Sequence, residues 1–386
     1  MVKTIGPTDD PTDDPTNLGT TSLGTTSLGT TSLGTTSLGT TSLGKDESKP
    51  VAQDATRLGG YAYQIIRQQS QAVFELRSPV LGDTDIENLH QMRIGTRRLR
   101  AALLLFTDVV KADASKAGRS DTDSSDTGSS DTGSSSSLKT LTEPVKQLTK
   151  ALGKVRDVDV MQQWLADAIA TPSKKEKKTI KALLRKLKKR RKKQFSKLEK
   201  ALTSKVYKKL KKRCKQWLKQ PSFGPAAQQP AASSAVETLI APLVELLQHP
   251  GWNVATSQKG QQRVPTKNIT LNQLNQQLET DSDSLHDLRK QIKQARYQTE
   301  FFRGIYGINY AAQVRELRSL QKVLGQLQDQ LVIADFLTDE LGKEWANRLP
   351  TIDQAFQSSR LALWHQWQPL QAKYLKLQAA ADTAVA

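Results

Sequence analysis

The sequence predicts an all-α fold with an internal duplication, and three observations carry that reading. Apolar residues recur three and four apart through most of the chain, and no alternating β-branched run competes with them. Prolines fall where such runs stop, at Pro79, Pro172, Pro221, Pro250, Pro265 and Pro350. A basic helical motif then occurs twice, once in each half. The single cysteine, Cys214, excludes an internal disulfide and a Cys-rich zinc site, so packing alone must hold the fold.

Taken in order, residues 1–50 form a low-complexity tail. Leu18 to Gly44 repeats L-G-T-T-S every five residues, too sparse and Gly-rich to bury an apolar face, and disorder is expected there. Met1 to Asp14 is polar and acidic with no apolar stretch, and the apolar runs that follow are short. Neither secretion nor a membrane span is expected, and a cytoplasmic location is. Residues 51–220 make a first half. Its helices are interrupted by Asp113–Ser137, almost all Asp, Ser, Thr and Gly, which reads as a disordered surface insertion, and it closes on a lysine-rich segment, Lys174–Lys219. Residues 221–235, rich in Pro, Ala, Gln and Ser, read as a linker, and residues 236–386 as the second half.

The repeat is explicit. The first half reads L-H-Q-M-R-I-G-T-R-R-L-R from Leu89 to Arg100, and the second reads L-H-D-L-R-K-Q-I-K-Q-A-R from Leu285 to Arg296, an offset of 196. Downstream, A-L-G-K-V-R-D from Ala151 to Asp157 matches V-L-G-Q-L-Q-D from Val323 to Asp329, at an offset of 172. The two offsets differ by 24, close to the length of the Asp/Ser/Thr/Gly insertion, so without it the copies have equal spacing. Asp157 and Asp329, each following a Gly-containing segment, are expected as helix N-caps.

At about 100° per residue, positions i, i+3, i+7 and i+10 share one helical stripe. Both copies place cations there: His90, Arg93, Arg97 and Arg100 in one, His286, Arg289, Lys293 and Arg296 in the other. The neighbouring face is apolar in each, so the cationic row is expected beside a bundle core. A second pair of cations four apart also repeats, Lys146 and Lys150 against Arg318 and Lys322. Like charges in a row repel, and neither row intersperses an acid. Arginine forks, lysine point charges and a protonatable histidine suit a chain of phosphates. No second histidine or suitably spaced carboxylate joins either His90 or His286, so neither a metal site nor any other cofactor is expected.

The chain carries 57 Lys and Arg against 38 Asp and Glu, a formal charge of +19 that points to a polyanionic partner. Lys174–Lys219 alone holds 23 of those cations with two acids, Glu176 and Glu199, leaving the other 340 residues at −2. Apolar residues from Ile180 to Trp217 keep a helical register through it, which predicts one long helix or a pair. Its aromatics, Phe195, Tyr207 and Trp217, are expected in the core or isolated, unlike the exposed stacking platforms of single-strand binders. No P-loop, dinucleotide turn, nucleophile elbow or carboxylate pair accompanies the rows, so binding rather than catalysis is expected. Nucleic-acid binding by the lysine-rich segment is the alternative, and a metal-dependent phosphohydrolase a more remote one.

The duplicated His-x-x-Arg-x-x-x-Arg/Lys-x-x-Arg rows, with G-K-V-R-D-V-D-V from Gly153 to Val160 and L-G-Q-L-Q-D from Leu324 to Asp329, resemble the CHAD family, the conserved-histidine α-helical domain. The resemblance covers about residues 55–375. It implies two pseudo-symmetric helical bundles flanking a basic groove, with inorganic polyphosphate, often in granules, as the ligand. The residues it implies as ligand-facing are His90, Arg93, Arg97, Arg100, Lys146 and Lys150 from one half, and His286, Arg289, Lys293, Arg296, Arg318 and Lys322 from the other. The insertion, the pentapeptide tail and Lys293 in place of arginine depart from the family pattern. Many relatives carry a fused triphosphate tunnel domain, but this chain has no strand-borne Glu-x-Glu-x-Lys signature, so triphosphatase activity is not expected.

Overall fold

The computed structural model describes residues 54–110, 139–168, 173–260 and 262–385. The tail and the Asp/Ser/Thr/Gly stretch lie outside the described residues. What is described is helical, apart from one hairpin. The first half contains α1 (Leu58–Glu75), α2 (Arg77–Gly82), α3 (Ile86–Leu105), α4 (Lys139–Asp167), α5 (Lys174–Thr203) and α6 (Lys205–Lys219). Then follow α7 (Ala231–Leu247), strands β1 (Thr256–Lys259) and β2 (Gln262–Pro265), α8 (Leu271–Thr280), α9 (Ser282–Phe301), α10 (Arg303–Leu341), α11 (Trp345–Arg348) and α12 (Pro350–Val385).

Local chemistry sets the helix ends. Asp85 caps α3 by accepting from the Glu87 amide at 2.8 Å, and Pro350 opens α12, where a missing N–H costs nothing. The lysine-rich segment is two helices, because Ser204 turns extended (ψ 159°) and its Oγ caps α6 through the Tyr207 amide. The stretch 221–235 contains a short 3₁₀ turn and, from Ala231, the start of α7, which begins directly after Pro230. Sequence periodicity gave no strand. The antiparallel hairpin β1–β2 pairs four residues with four, Thr256 to Pro265 through Lys259 to Gln262, too short for an alternating pattern to register.

Two expected caps are not caps. Asp157 lies inside α4 and Asp329 inside α10, because both helices run unbroken through Gly153 and Gly325. A glycine in a helix interior costs about 1 kcal/mol, which tertiary packing overrides in helices of 29 and 39 residues.

Buried side chains among the described residues group into three cores, and two of them join the halves. The first core lies among α1, α3, α4 and α6, and takes in Tyr297, Phe301 and Phe302 from the end of α9. Phe302 stacks on Tyr61 of α1 at 5.7 Å and meets Phe106, at the end of α3, edge-on at 5.9 Å. The C-terminal ends of α3 and α9 are thereby pinned together. The second core belongs to the later helices and centres on Trp252, stacked between Trp367 and Tyr374. Gly251 is obligatory there: a Cβ would stand 2.8 Å from Leu288 Cβ and 2.9 Å from the Ser284 carbonyl, so only glycine lets this turn lie against α9. His249 caps that turn through Nδ1, which accepts from the Gly251 amide, and its Nε2 faces Asp287 at 3.2 Å.

The third core packs the end of α4 and the start of α5 against α10, α11 and α12, with Trp164, Trp345 and Phe356 in contact. A buried carboxylate closes this junction. Glu176 accepts from the Ser173 amide and hydroxyl in a capping box at α5, and from the Thr351 amide (2.9 Å) and hydroxyl (3.1 Å) at the start of α12. Burial pushes this carboxyl up, but the hydrogen bonds from Thr351 and Ser173 outweigh it and hold the pKa below the ordinary 4.5. A depressed carboxylate contributes stability that is present above its unfolded pKa and lost as pH falls through the folded one. Glu176→Gln therefore lowers stability by about 2 kcal/mol at pH 7, and the gap from wild type narrows as pH falls below the ordinary carboxylate range. Denaturant melts across that range check it; a gap constant with pH contradicts it.

Candidate functional site

Helix α3 is packed by α1, α4 and α9, and burial is continuous along it from Met92 to Arg97. Gly95 permits the closest approach: a Cβ there would come 3.2 Å from Val73 Cγ2 of α1. A helix enclosed in this way has no free stripe. The cationic rows, expected beside the core, accordingly lie largely inside it. His90 is 2% exposed, Arg93 1% and Arg97 8%; on α9, Arg289 is 1% and Arg296 2%. Arg100, His286, Lys293 and Arg318 are half-buried, while Lys146, Lys150 and Lys322 stand exposed on α4 and α10. Lys146 is 3.3 Å from Glu143 of its own helix. Buried guanidiniums persist only when engaged, and these are: every one of the five deeply buried row residues has bonded or electrostatic partners.

Two side chains bring the rows of the two halves together. Tyr297 of α9 is the first. Its ring lies 5.8 Å from the Arg97 guanidinium of α3 and 4.5 Å from that of Arg296, so one aromatic ring serves a cation from each half. Glu300, one turn beyond Arg296, is the second. Its side chain is 4% exposed; Oε1 takes Arg296 Nη1 at 2.7 Å and Arg318 Nη2 and Nε at 2.9 and 3.0 Å, and Oε2 lies 3.3 Å from Arg98 Nη2 of α3. Arg296 also donates from Nε to Gln321 of α10 at 2.7 Å. One carboxylate against three guanidiniums leaves the node at a net +2. Further along α9, His286 Nδ1 is 3.3 Å from Gln328 Oε1, tying the row to α10.

Of the sequence-derived site, the structure joins Arg296 and Arg318 at Glu300, and brings Arg97 and Arg296 to the Tyr297 ring. Three of its members escaped the sequence: Arg98, Tyr297 and Glu300. Arg98 is off the stripe, and Tyr297 reads as core. Glu300 had a visible signal, an acid four residues after Arg296, the spacing at which a helix pairs opposite charges. The first copy has Leu104 at the matching position, so the duplication did not flag it.

The architecture is thus a helical protein, with one short hairpin among the described residues and a buried arginine seam where its halves meet. The CHAD domain model matches residues 64–122 and 135–338, and the chain belongs to the CHAD domain family. Among solved structures, the CHAD domain from the plant Ricinus communis is similar with a TM-score of 0.53 at 22% identity, over 84% of this chain and 92% of that one. PptA from Streptomyces chartreusis is similar with a TM-score of 0.51 at 15% identity, over 81% of this chain and 99% of that one. At these identities the likeness establishes a shared fold. No curated protein matches the chain. Among the described residues, no helix is long and apolar enough to cross a membrane, and no group of three His, Cys, Asp or Glu is placed to hold a metal ion.

Proposed function

We propose that this protein binds inorganic polyphosphate without turning it over, gripping one chain along the seam between its halves, in the cytoplasm and at polyphosphate granules. The observation that carries the reading is convergence: cations of α3, α9 and α10, drawn from both copies of the repeat, meet at Tyr297 and Glu300. Membership of the CHAD domain family supports it. The buried arginines hold the seam in shape. The half-buried and exposed cations of the rows, Arg100, Lys146, Lys150, Lys293, Arg318 and Lys322, are the ones proposed to take phosphate oxygens.

Such a grip is multivalent and releases counterions, so affinity rises with chain length and falls steeply with salt. Calorimetric titration with orthophosphate, short polyphosphate and long polyphosphate at two salt concentrations tests it. Tight binding of the long chain with no measurable heat from orthophosphate is expected, and the polyphosphate is recovered at its original length. Equal affinity per molecule for all three ligands, or shortening of the chain, contradicts the reading.

A further inference from the structure

The lysine-rich helix α5 is separate from the seam and has a surface of its own. Thirteen of its fifteen Lys and Arg are exposed, the exceptions being Lys177 and Arg191. Arg191 is its anchor: Nε donates to Asp159 of α4 at 2.6 Å, and Nη1 and Nη2 to Asp83 at 2.6 Å each. With Ile180, Leu183 and Leu187 buried, this fixes which way α5 faces. On an exposed flank beside that face, Lys174, Lys178, Lys181, Arg185, Lys188 and Lys192 fall within about 80° of one another on the helical wheel and form a straight row about 27 Å long, one cation per turn. None of the six pairs with a carboxylate among the described residues; the one such exposed pair on α5 is Lys186 with Glu340. A helix selected only for solubility intersperses glutamates at i+4, and this one leaves its row uncompensated.

We propose that this row is a second polyanion surface, shaped to lie along the phosphate backbone of duplex nucleic acid. Shape favours the duplex. The row is a straight, rigid array, which meets the fixed phosphates of a stiff duplex without having to order them, whereas a flexible polyphosphate loses conformational freedom to lie along it; 27 Å of duplex presents about 16 phosphates over both strands and all sides. The chemistry agrees, since five of the six cations are lysines, mobile point charges that make no demand on base sequence. Single strands are disfavoured because no aromatic is presented for stacking: Tyr207 and Trp217 are buried, and half-buried Phe195 lies against Arg191, 5.6 Å from its guanidinium.

The test compares the full chain with a variant carrying Gln at all six positions, K174Q/K178Q/K181Q/R185Q/K188Q/K192Q. Glutamine is a good helix former, and circular dichroism confirms an unchanged melt. Each protein is titrated against a 30-base-pair duplex, a single strand of the same length and long-chain polyphosphate. Wild type binds duplex with a salt slope near −5, about 0.9 for each of six phosphates neutralised. In the variant, duplex affinity falls at least 100-fold while polyphosphate affinity stays within threefold. The proposal is overturned if wild type does not bind duplex, binds single strand more tightly, or if the variant keeps its duplex affinity or loses both ligands in parallel. Polyphosphate binding by the seam is read in a separate arm, so either account can fail without the other.

Discussion

Replacing Glu300 with alanine is expected to destabilise the protein and at the same time to tighten its hold on polyphosphate. The carboxylate is almost fully buried and is shared by Arg98, Arg296 and Arg318. Removing it leaves three guanidiniums facing one another across the junction of the halves, with the Arg296 side chain only 3% exposed. Breaking a buried pair from one side costs about 3–5 kcal/mol, which lowers Tm by roughly 5–10 °C in a chain of this size. The node's charge rises from +2 to +3, and a phosphate chain no longer competes with an internal anion for Arg98 and Arg318, whose side chains are about a quarter exposed. On the proposed function polyphosphate favours the folded state, so saturating ligand is expected to restore most of the lost Tm. Scanning calorimetry with and without polyphosphate reads both effects. Destabilisation with an affinity that falls in step would show that Glu300 is merely structural, and Glu300→Asp should then restore both together.

The second large effect separates the row residues by depth. Arg93 and Arg289 are among the largest fully buried side chains, so Arg93→Ala or Arg289→Ala removes packing and partners together, at a cost of about 3 kcal/mol or more. The outer cations behave differently. Arg100→Gln with Lys150→Gln in the first half, or Lys293→Gln with Lys322→Gln in the second, costs less than about 2 kcal/mol, because two of the four residues are exposed and the other two only half-buried. All four together weaken long-chain polyphosphate by about 100-fold, near 0.7 kcal/mol for each partly solvated ion pair. If the buried arginines could be replaced without loss of stability, the seam would not be the structural element described here.

What the sequence made legible was periodic: helices with apolar stripes, and two cationic rows at one spacing. The enclosure of α3 was not, because a row's burial depends on what packs around the helix, and α9 arrives from nearly 200 residues away. The break at Ser204 was left open by a register that continues across it from Leu202 to Tyr207. Asp157 and Asp329 misled because their glycines resemble helix ends locally, while the packing of long helices decides otherwise. Glu300 lay outside the duplicated pattern, and a search for what two copies share passes over what only one copy has.

The central claim is that both halves hold a single phosphate chain, and stoichiometry tests it most directly. Polyphosphate of one defined length, long enough to span the seam, is titrated into wild type and into the two half-variants, Arg100→Gln/Lys150→Gln and Lys293→Gln/Lys322→Gln. One chain per protein is expected in all three, with each variant binding about tenfold more weakly. Two chains bound by wild type, falling to one of unchanged affinity in either variant, would mean that the halves bind separately and that the seam is not the site.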